Sequence, residues 1–366
     1  MFVQIGYVVS TLRRSGPSRQ LLNLVSEVRK TGGKAYVLTL SPEPEDTLWS
    51  EFFDAGVNLS TLSMGRGRSM LAGRRAIRRW IKDRDIDVVH TQGIRADSMV
   101  ASLGFPHVAT LRNYPLEDYP LLYGRLRGGA MAKWHLGVLR RVSRPVVVSW
   151  GVAGLLRKVG MELDVVQNGV DVEHFSPPVS KERAKDVVGY VGERRLAVAT
   201  GHLIARKDPE TAIQAVASLE DVDLVLLGDG DLRSELERRW GADKRVRFGG
   251  RVEDVQQWLH AADVFVSPSR SEGLPNAVME AMACGLPCVL SDIPPHRELL
   301  EREPAAGELF APGDAAMMAD ALRRILKNKE AASAAARTNA VEWFSAEVMA
   351  GKYRKLYLEE LERAQG

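Results

Sequence analysis

Short apolar runs, each about the length of one strand, alternate along the chain with longer segments whose apolar positions recur every three or four residues. The first kind reads as strands buried on both faces and the second as amphipathic helices, and their alternation is the pattern of parallel sheets joined by helical crossovers. In the first half, strands are expected at 2–9, 34–40, 86–90, 107–111, 145–149 and 163–166, with helices at about 18–31, 70–84 and 120–141 between them. A charged, proline-containing stretch over 172–195, with Pro177-Pro178 as its turn signal, then interrupts the alternation. The second half restarts with strands near 196–200, 222–227, 246–248, 263–267 and 287–291 and finishes in helices. The expected organisation is an N-terminal domain over 1–171, a linker over 172–195, a C-terminal domain over 196–345, and a last helix, 346–366, free to pack back on the first domain. The fold class is therefore α/β, two Rossmann-like parallel-sheet domains in tandem.

Length agrees with this division, since 366 residues suit two cores better than one. With 45% hydrophobic and 27% charged residues the composition is that of a globular chain. No apolar stretch exceeds strand length, and MFVQIGYVVS lacks a basic leader, so it reads as a first strand and the expected compartment is the cytoplasm. The two cysteines, Cys284 and Cys288, can build neither a disulfide framework nor a zinc site and read as small core residues.

Charge alters this picture more than composition does. Residues 1–150 hold 22 Lys+Arg against 12 Asp+Glu, a balance of +10, and the remainder holds 28 against 35, a balance of −7, which together give the net +3. Part of the N-terminal excess lies on the helix expected at 70–84, where Arg74, Arg75, Arg78, Arg79 and Lys82 are spaced to share a face. Such a stripe suits an anionic membrane surface, hence a peripheral position at the inner face of the plasma membrane, or a phosphate-bearing acceptor; a solvated arginine-rich helix fits the same spacing.

Candidate chemistry is concentrated in DVFVSPSRSEGLPNAVMEAMACGLPCVLSD, residues 263–292. A buried strand breaks at Ser267-Pro268-Ser269, loops through Glu272, Gly273, Leu274, Pro275 and Asn276, and passes into a helix that ends at Gly285-Leu286-Pro287. The start of such a helix has unpaired N–H groups and a positive dipole end, which favour a diphosphate. Gly273 lets backbone approach a ligand, and Pro275 removes no donor that the helix needs. Glu272 in the loop and Glu280 in the helix's second turn are acceptors suited to paired sugar hydroxyls. An ordinary loop acid and an ordinary helix-surface acid fit the same spacing.

The arrangement E-x7-E within EGLPNAVMEAMACGLPCV, with its flanking PS and SD, resembles the donor-binding signature of the family 4 GT-B glycosyltransferases, mostly retaining enzymes. The resemblance implies that Glu280 holds the donor ribose, that Glu272 lies against the transferred sugar, and that the backbone of Gly273, Leu274, Pro275 and Asn276 contacts sugar and diphosphate. ATGHLIARKD at 199–208 is similar to the family's strand-end loop G-R-L-x-x-x-K, with Lys207 as the lysine that neutralises the leaving diphosphate. The usual arginine is His202 here, and Arg206 is a candidate replacement for its charge. RVRFGGRVEDV at 245–255, which contains Arg251, resembles the region that touches the nucleobase, while QNGVDVEHF at 167–175 and LLGDGDLRSELE at 226–237 match further family segments. In STLRRSGPSRQLLNLV, Gly16 maps to the N-terminal domain's phosphate-facing turn.

By the same resemblance the first domain receives the acceptor. Many relatives carry a histidine after the strand HVATL, where this chain has Arg112, a residue suited to an anionic acceptor or a carboxylate-bearing sugar. Asn113, Tyr114 and Asp118 share its loop, and His90 closes a neighbouring strand in DVVHTQG; these are the acceptor-side candidates, each with loop or core packing as the alternative. No His/Asp/Glu cluster has metal-ligand spacing, so neither metal nor cofactor is expected. The sequence is thus read as a metal-independent hexosyltransferase using a UDP- or GDP-sugar and a lipid-linked glycan acceptor, with retention, in bacterial surface polysaccharide biosynthesis. The alternatives are a GT-B nucleotide-sugar epimerase and a non-catalytic sugar-nucleotide-binding partner. A dehydrogenase is disfavoured because no G-x-G-x-x-G follows the opening strand, and no nucleic-acid-binding motif occurs.

Overall fold

A computed structural model describes residues 3–65 and 70–365. The expected strand residue Phe2 and positions 66–69 at the start of the arginine-rich stretch lie outside the described residues. The chain forms two compact units, one made of the N-terminal residues to Gly169 together with the C-terminal segment from Ala346, the other of Val170–Ser345.

The first unit is a parallel sheet of β1 (Gln4–Val9), β2 (Lys34–Thr39), β3 (Asn58–Thr61), β4 (Val88–Gln92), β5 (His107–Leu111), β6 (Arg144–Val147) and β7 (Asp164–Val165), in the order β3-β2-β1-β4-β5-β6-β7. Its central strands carry nearly continuous apolar runs because crossover helices cover both faces. The second unit repeats the plan with β8 (Arg195–Thr200), β9 (Val222–Leu227), β10 (Val246–Gly250), β11 (Val264–Ser267), β12 (Cys288–Ser291) and β13 (Gly307–Phe310), in the order β10-β9-β8-β11-β12-β13. In each sheet the winding reverses once, between β1 and β4 and between β8 and β11. In each sheet taken by itself, the crevice outside the carboxyl ends of the two strands at the reversal is where open α/β sheets bind ligands.

Two edge strands, β3 and β13, have no counterpart in the hydrophobic pattern, since NLST and GELF are too short and too polar to show a run. The helix expected over 120–141 is two helices, Pro115–Tyr123 and Arg125–Leu139. Gly124 joins them at φ +80°, and at Gly128 the backbones come so close that an added Cβ would stand 2.2 Å from the carbonyl oxygen of Tyr119.

The stretch 172–195 is not a free linker. It contains a helix, Lys181–Val187, and it is built into the second unit. Lys181 and Lys329 each place Nζ 2.5 Å from the buried carboxylate of Asp263, whose second oxygen accepts from the backbone N–H of Leu196 at 2.9 Å. Arg337 donates to the carbonyls of Val172 and Phe175. Hydrophobic patterning cannot register such polar attachments. The last helix, Ala346–Gln365, sends Met349, Tyr353, Leu356 and Tyr357 into the core that holds Tyr7 and Val9 of β1.

On the arginine-rich helix, Met70–Lys82, four of the five basic residues are exposed and Arg74 is half-buried. Arg74 donates to the carbonyl of Ser98 in the last turn of the following helix, Ile94–Val100, at 3.0 Å, and Arg78 to that of Leu103 beyond it at 3.2 Å. Arg75, Arg79 and Lys82 are exposed. Cys284 and Cys288 are both buried with free thiols, and burial, helped by nearby Glu280, pushes the Cys284 thiol up to about 12.

Candidate functional site

The second sheet reverses between β8 and β11, and the loops leaving these two strands are clipped together by charge. From β8 the chain passes Gly201, at φ +139°, and His202 to a short 3-10 turn, Ala205–Lys207. From β11 it passes Ser267, Pro268 and Ser269 to Glu272. Lys207 Nζ lies 2.6 Å from one carboxylate oxygen of Glu272 and Arg206 Nη1 lies 3.1 Å from the other. Arg206 Nη1 also donates to the carbonyl of Ser271 at 2.6 Å, while the N–H of Arg270 donates to the carbonyl of Arg206 at 2.8 Å. Behind this pair Asp208 holds the left-handed conformation, φ +48°, and accepts from Arg270 at 2.8 Å and from Thr211 at 2.9 Å. A non-glycine residue kept in that region at the end of a functional loop is a mark of imposed geometry.

The Glu272 side chain is only 7% exposed. Burial alone would raise its pKa, but the charges of Lys207 and Arg206, with a hydrogen bond from Ser269, override burial and hold it at about 2. The cluster therefore combines one carboxylate with two cations, and a positive charge is left over beside a small open pocket that Lys207 lines. Thr200, Gly201, His202, Lys207, Ser267 and Ser269 are among the residues lining that pocket. Glycines shape its floor. A Cβ on Gly228 would stand 1.9 Å from the carbonyl oxygen of Gly201, and one on Gly230 would stand 2.5 Å from that of Leu203, so the turn after β9 reaches the β8 loop only without side chains.

Glu280 lies in the second turn of the helix Asn276–Ala283, which starts directly after Pro275. Gly273, Leu274 and Pro275 are buried and Asn276 half-buried, and none of the four lines the pocket. Arg251 is exposed just past β10. His296 was missed by sequence reading. It is wholly buried behind this loop, with Nδ1 2.8 Å from the carbonyl oxygen of Ser291 and Nε2 3.4 Å from Ser267 Oγ, and burial lowers its pKa to about 4. Its signal in the sequence is a lone histidine after the Pro-Pro of SDIPPHRELL, which nothing short of the fold connects to Glu272.

In the first unit Arg112 follows β5 and is half-buried. Its Nε and Nη2 donate to Gln92 Oε1 at 3.3 and 2.9 Å, and its Nη1 donates to Asn168 Oδ1 at 2.9 Å. Both partners are neutral amides, and among the described residues no carboxylate pairs with Arg112. Burial pushes its pKa down to about 10, which still leaves it charged at neutral pH. Asn113 is exposed, and Tyr114 and Asp118 are half-buried at the start of the helix Pro115–Tyr123. Gly16, at the start of the helix Gly16–Lys30, is exposed after the β1 loop.

His90 is a correction. Read as an acceptor-side contact, it is instead fully buried, with Nδ1 2.7 Å from Tyr357 Oη and Nε2 2.7 Å from Thr110 Oγ1. Burial first, and then Arg112 and His107, hold its pKa well below the usual histidine value, so it is a neutral core residue. The C-terminal helix that supplies Tyr357 lies 267 residues along the chain, and no local pattern foretells that partner.

Two doubly wound Rossmann-like units, the second with a carboxylate and two cations locked at its switch point, define a GT-B glycosyltransferase. Residues 14–174 match the family model described as Glycosyltransferase Family 4 and residues 194–328 the model described as Glycosyl transferases group 1, and the chain belongs to the family 4 glycosyltransferases. Among curated relatives, the UDP-Gal:alpha-D-GlcNAc-diphosphoundecaprenol alpha-1,3-galactosyltransferase of Escherichia coli is 31% identical over 212 residues, which is 54% of either chain. The phosphatidyl-myo-inositol mannosyltransferase of Mycobacterium leprae (strain TN) is 27% identical over 365 residues, covering 93% of this chain and 92% of that one. Among solved structures, sucrose-phosphate synthase from Thermosynechococcus elongatus superposes with a TM-score of 0.83 at 19% identity over 99% of this chain and all of the other. Anabaena HepE in complex with UDP superposes with a TM-score of 0.80 at 17% identity over 98% of this chain and all of the other. At these identities the two structures share the fold.

Proposed function

We propose that this glycosyltransferase moves a hexose from a UDP- or GDP-sugar, held by the second unit, to a lipid-linked glycan received by the first, with retention and without a metal ion, in the building of a bacterial surface polysaccharide. The observation that carries the reading is the cluster of Glu272, Lys207 and Arg206 at the carboxyl ends of β8 and β11. An acceptor hydroxyl attacks the anomeric carbon as the bond from that carbon to the diphosphate breaks. Charge then grows on the departing phosphate oxygen, which Lys207 and Arg206 neutralise and which takes the proton of the attacking hydroxyl. A donor diphosphate competes with Glu272 for the two cations, leaving the carboxylate to accept from sugar hydroxyls, and Glu280 takes the ribose. Arg112, a cation among neutral partners, receives an anionic group of the acceptor. The acceptors named for the galactosyl- and mannosyltransferase relatives, a diphosphoundecaprenol-linked sugar and a phosphatidylinositol, support a lipid-borne acceptor, and the UDP complex of HepE supports a nucleotide donor.

The test begins with UDP-, GDP- and dTDP-sugars in a thermal-shift assay, since a bound donor raises the melting temperature by mass action. The stabilising donor is then incubated with and without diphosphoundecaprenol-linked sugars in EDTA. Transfer that needs the acceptor and survives chelation supports the reading, and an α-anomeric product from an α-linked donor supports retention. Turnover of the donor alone would make the protein an epimerase or hydrolase instead.

A further inference from the structure

The helical hairpin Pro115–Tyr123 and Arg125–Leu139 is apolar on the side it hides and on the side it shows. Its hidden side packs Ala132, Leu136 and Leu139 into the first unit. A buried chain of hydrogen bonds fixes its orientation: Thr91 Oγ1 donates to Asp97 at 2.5 Å, His135 Nε2 lies 2.7 Å from the other Asp97 oxygen, and His135 Nδ1 lies 2.8 Å from Tyr119 Oη. The tip carries Leu121 at 74% exposure, Leu122 at 64%, Tyr123 at 49% and Leu126 at 92%, with Trp134 at 48% further along. Leu126, Ala130 and Trp134 recur every four residues, so they line one face of the second helix, and all three are exposed. Five large apolar side chains are thus exposed within one short segment, more than a free water-facing surface usually keeps together.

The charge around the patch selects its partner. Arg125, Arg127 and Lys133 flank it and are exposed, and no Asp or Glu occurs from Tyr119 to Leu139. Leucines at the hairpin tip with Tyr123 among them, Trp134 further along and cations alongside are the chemistry of an element seated in a bilayer's headgroup region, with leucines in the acyl boundary and cations on lipid phosphates. We propose that this hairpin docks the enzyme on an anionic lipid surface, which brings the first unit to a lipid-linked acceptor. The proposal rests on the reading of that acceptor as lipid-borne, and it assigns the surface to the hairpin rather than to the exposed cations of the helix Met70–Lys82.

The full chain is sedimented with vesicles of phosphatidylcholine, and of phosphatidylcholine mixed with phosphatidylglycerol. Wild type is expected to bind the mixed vesicles. A triple variant, L121E with L122E and L126E, is expected to lose more than about tenfold in affinity. R125S with R127S is expected to lose about fivefold per charge removed, with a weaker salt dependence. R75S with R79S and K82S is expected to stay within about twofold, because those side chains do not flank the patch. All substitutions lie on exposed positions, and circular dichroism melting checks that the variants fold. Absence of wild-type binding to anionic vesicles, full binding by the leucine variant, or loss of binding in the Met70–Lys82 variant would each overturn the proposal. The donor-induced thermal shift, measured on every variant, tests the glycosyltransferase reading separately, so the two can fail independently.

Discussion

Replacing Glu272 by Gln removes one charge from a site where the carboxylate is buried and both partners are within 3.1 Å. Its pKa is held at about 2 in the folded protein against an ordinary value of 4.5. Integrated over that difference, the ionised group contributes about 3 kcal/mol of stability near neutral pH, an upper figure because Lys207 and Arg206 are partly open to solvent. Because the folded pKa is the lower one, the contribution is complete above the unfolded pKa and disappears as pH falls toward the folded value. Urea unfolding of wild type and E272Q is therefore expected to differ by about 2–3 kcal/mol at neutral pH and by less than half of that near pH 3. The glutamine keeps the size of the side chain, so the pH dependence reports charge and not packing. The same variant is expected to lose most transfer activity, since the loops that carry Lys207 and Arg206 lose the anion that sets their spacing. An unfolding difference that stays flat between these pH values, or full activity in E272Q, would refute the reasoning.

Lys207→Ala is expected to lower kcat by a factor of about 100–1000 by leaving charge on the departing phosphate uncompensated, measured as initial rates at saturating donor. Gly228→Ala, with a Cβ 1.9 Å from the carbonyl of Gly201 and a φ of +139°, is expected to lower the melting temperature and abolish the donor-induced shift, because the backbone that must move is the pocket floor. His90→Phe breaks buried hydrogen bonds to Thr110 and Tyr357 and is expected to destabilise by about 1–3 kcal/mol in urea while leaving donor affinity unchanged. Because burial keeps His90 neutral, the pH profile of transfer is expected to show no inflection assignable to it.

Local pattern by itself determined the alternation of strands and helices, since the strands at 107–111 and 222–227 stand in the structure with the bounds their apolar runs suggest. It also determined that Glu272 sits in a loop and Glu280 in the helix behind it, because Pro275 and the strand break at Pro268 are punctuation readable in place. Only tertiary structure decided what those residues meet. The pairing of Glu272 with Lys207 and Arg206 spans 65 and 66 positions and exists because β8 and β11 are neighbours in the sheet, a fact carried by strand order and not by spacing. Burial of His90 under Tyr357, the attachment of 172–195 through Asp263, and the bond from Arg74 to the carbonyl of Ser98 have the same origin. Hydrophobic period specifies which face of an element turns inward, whereas the partner of a buried polar group depends on elements far away in the chain.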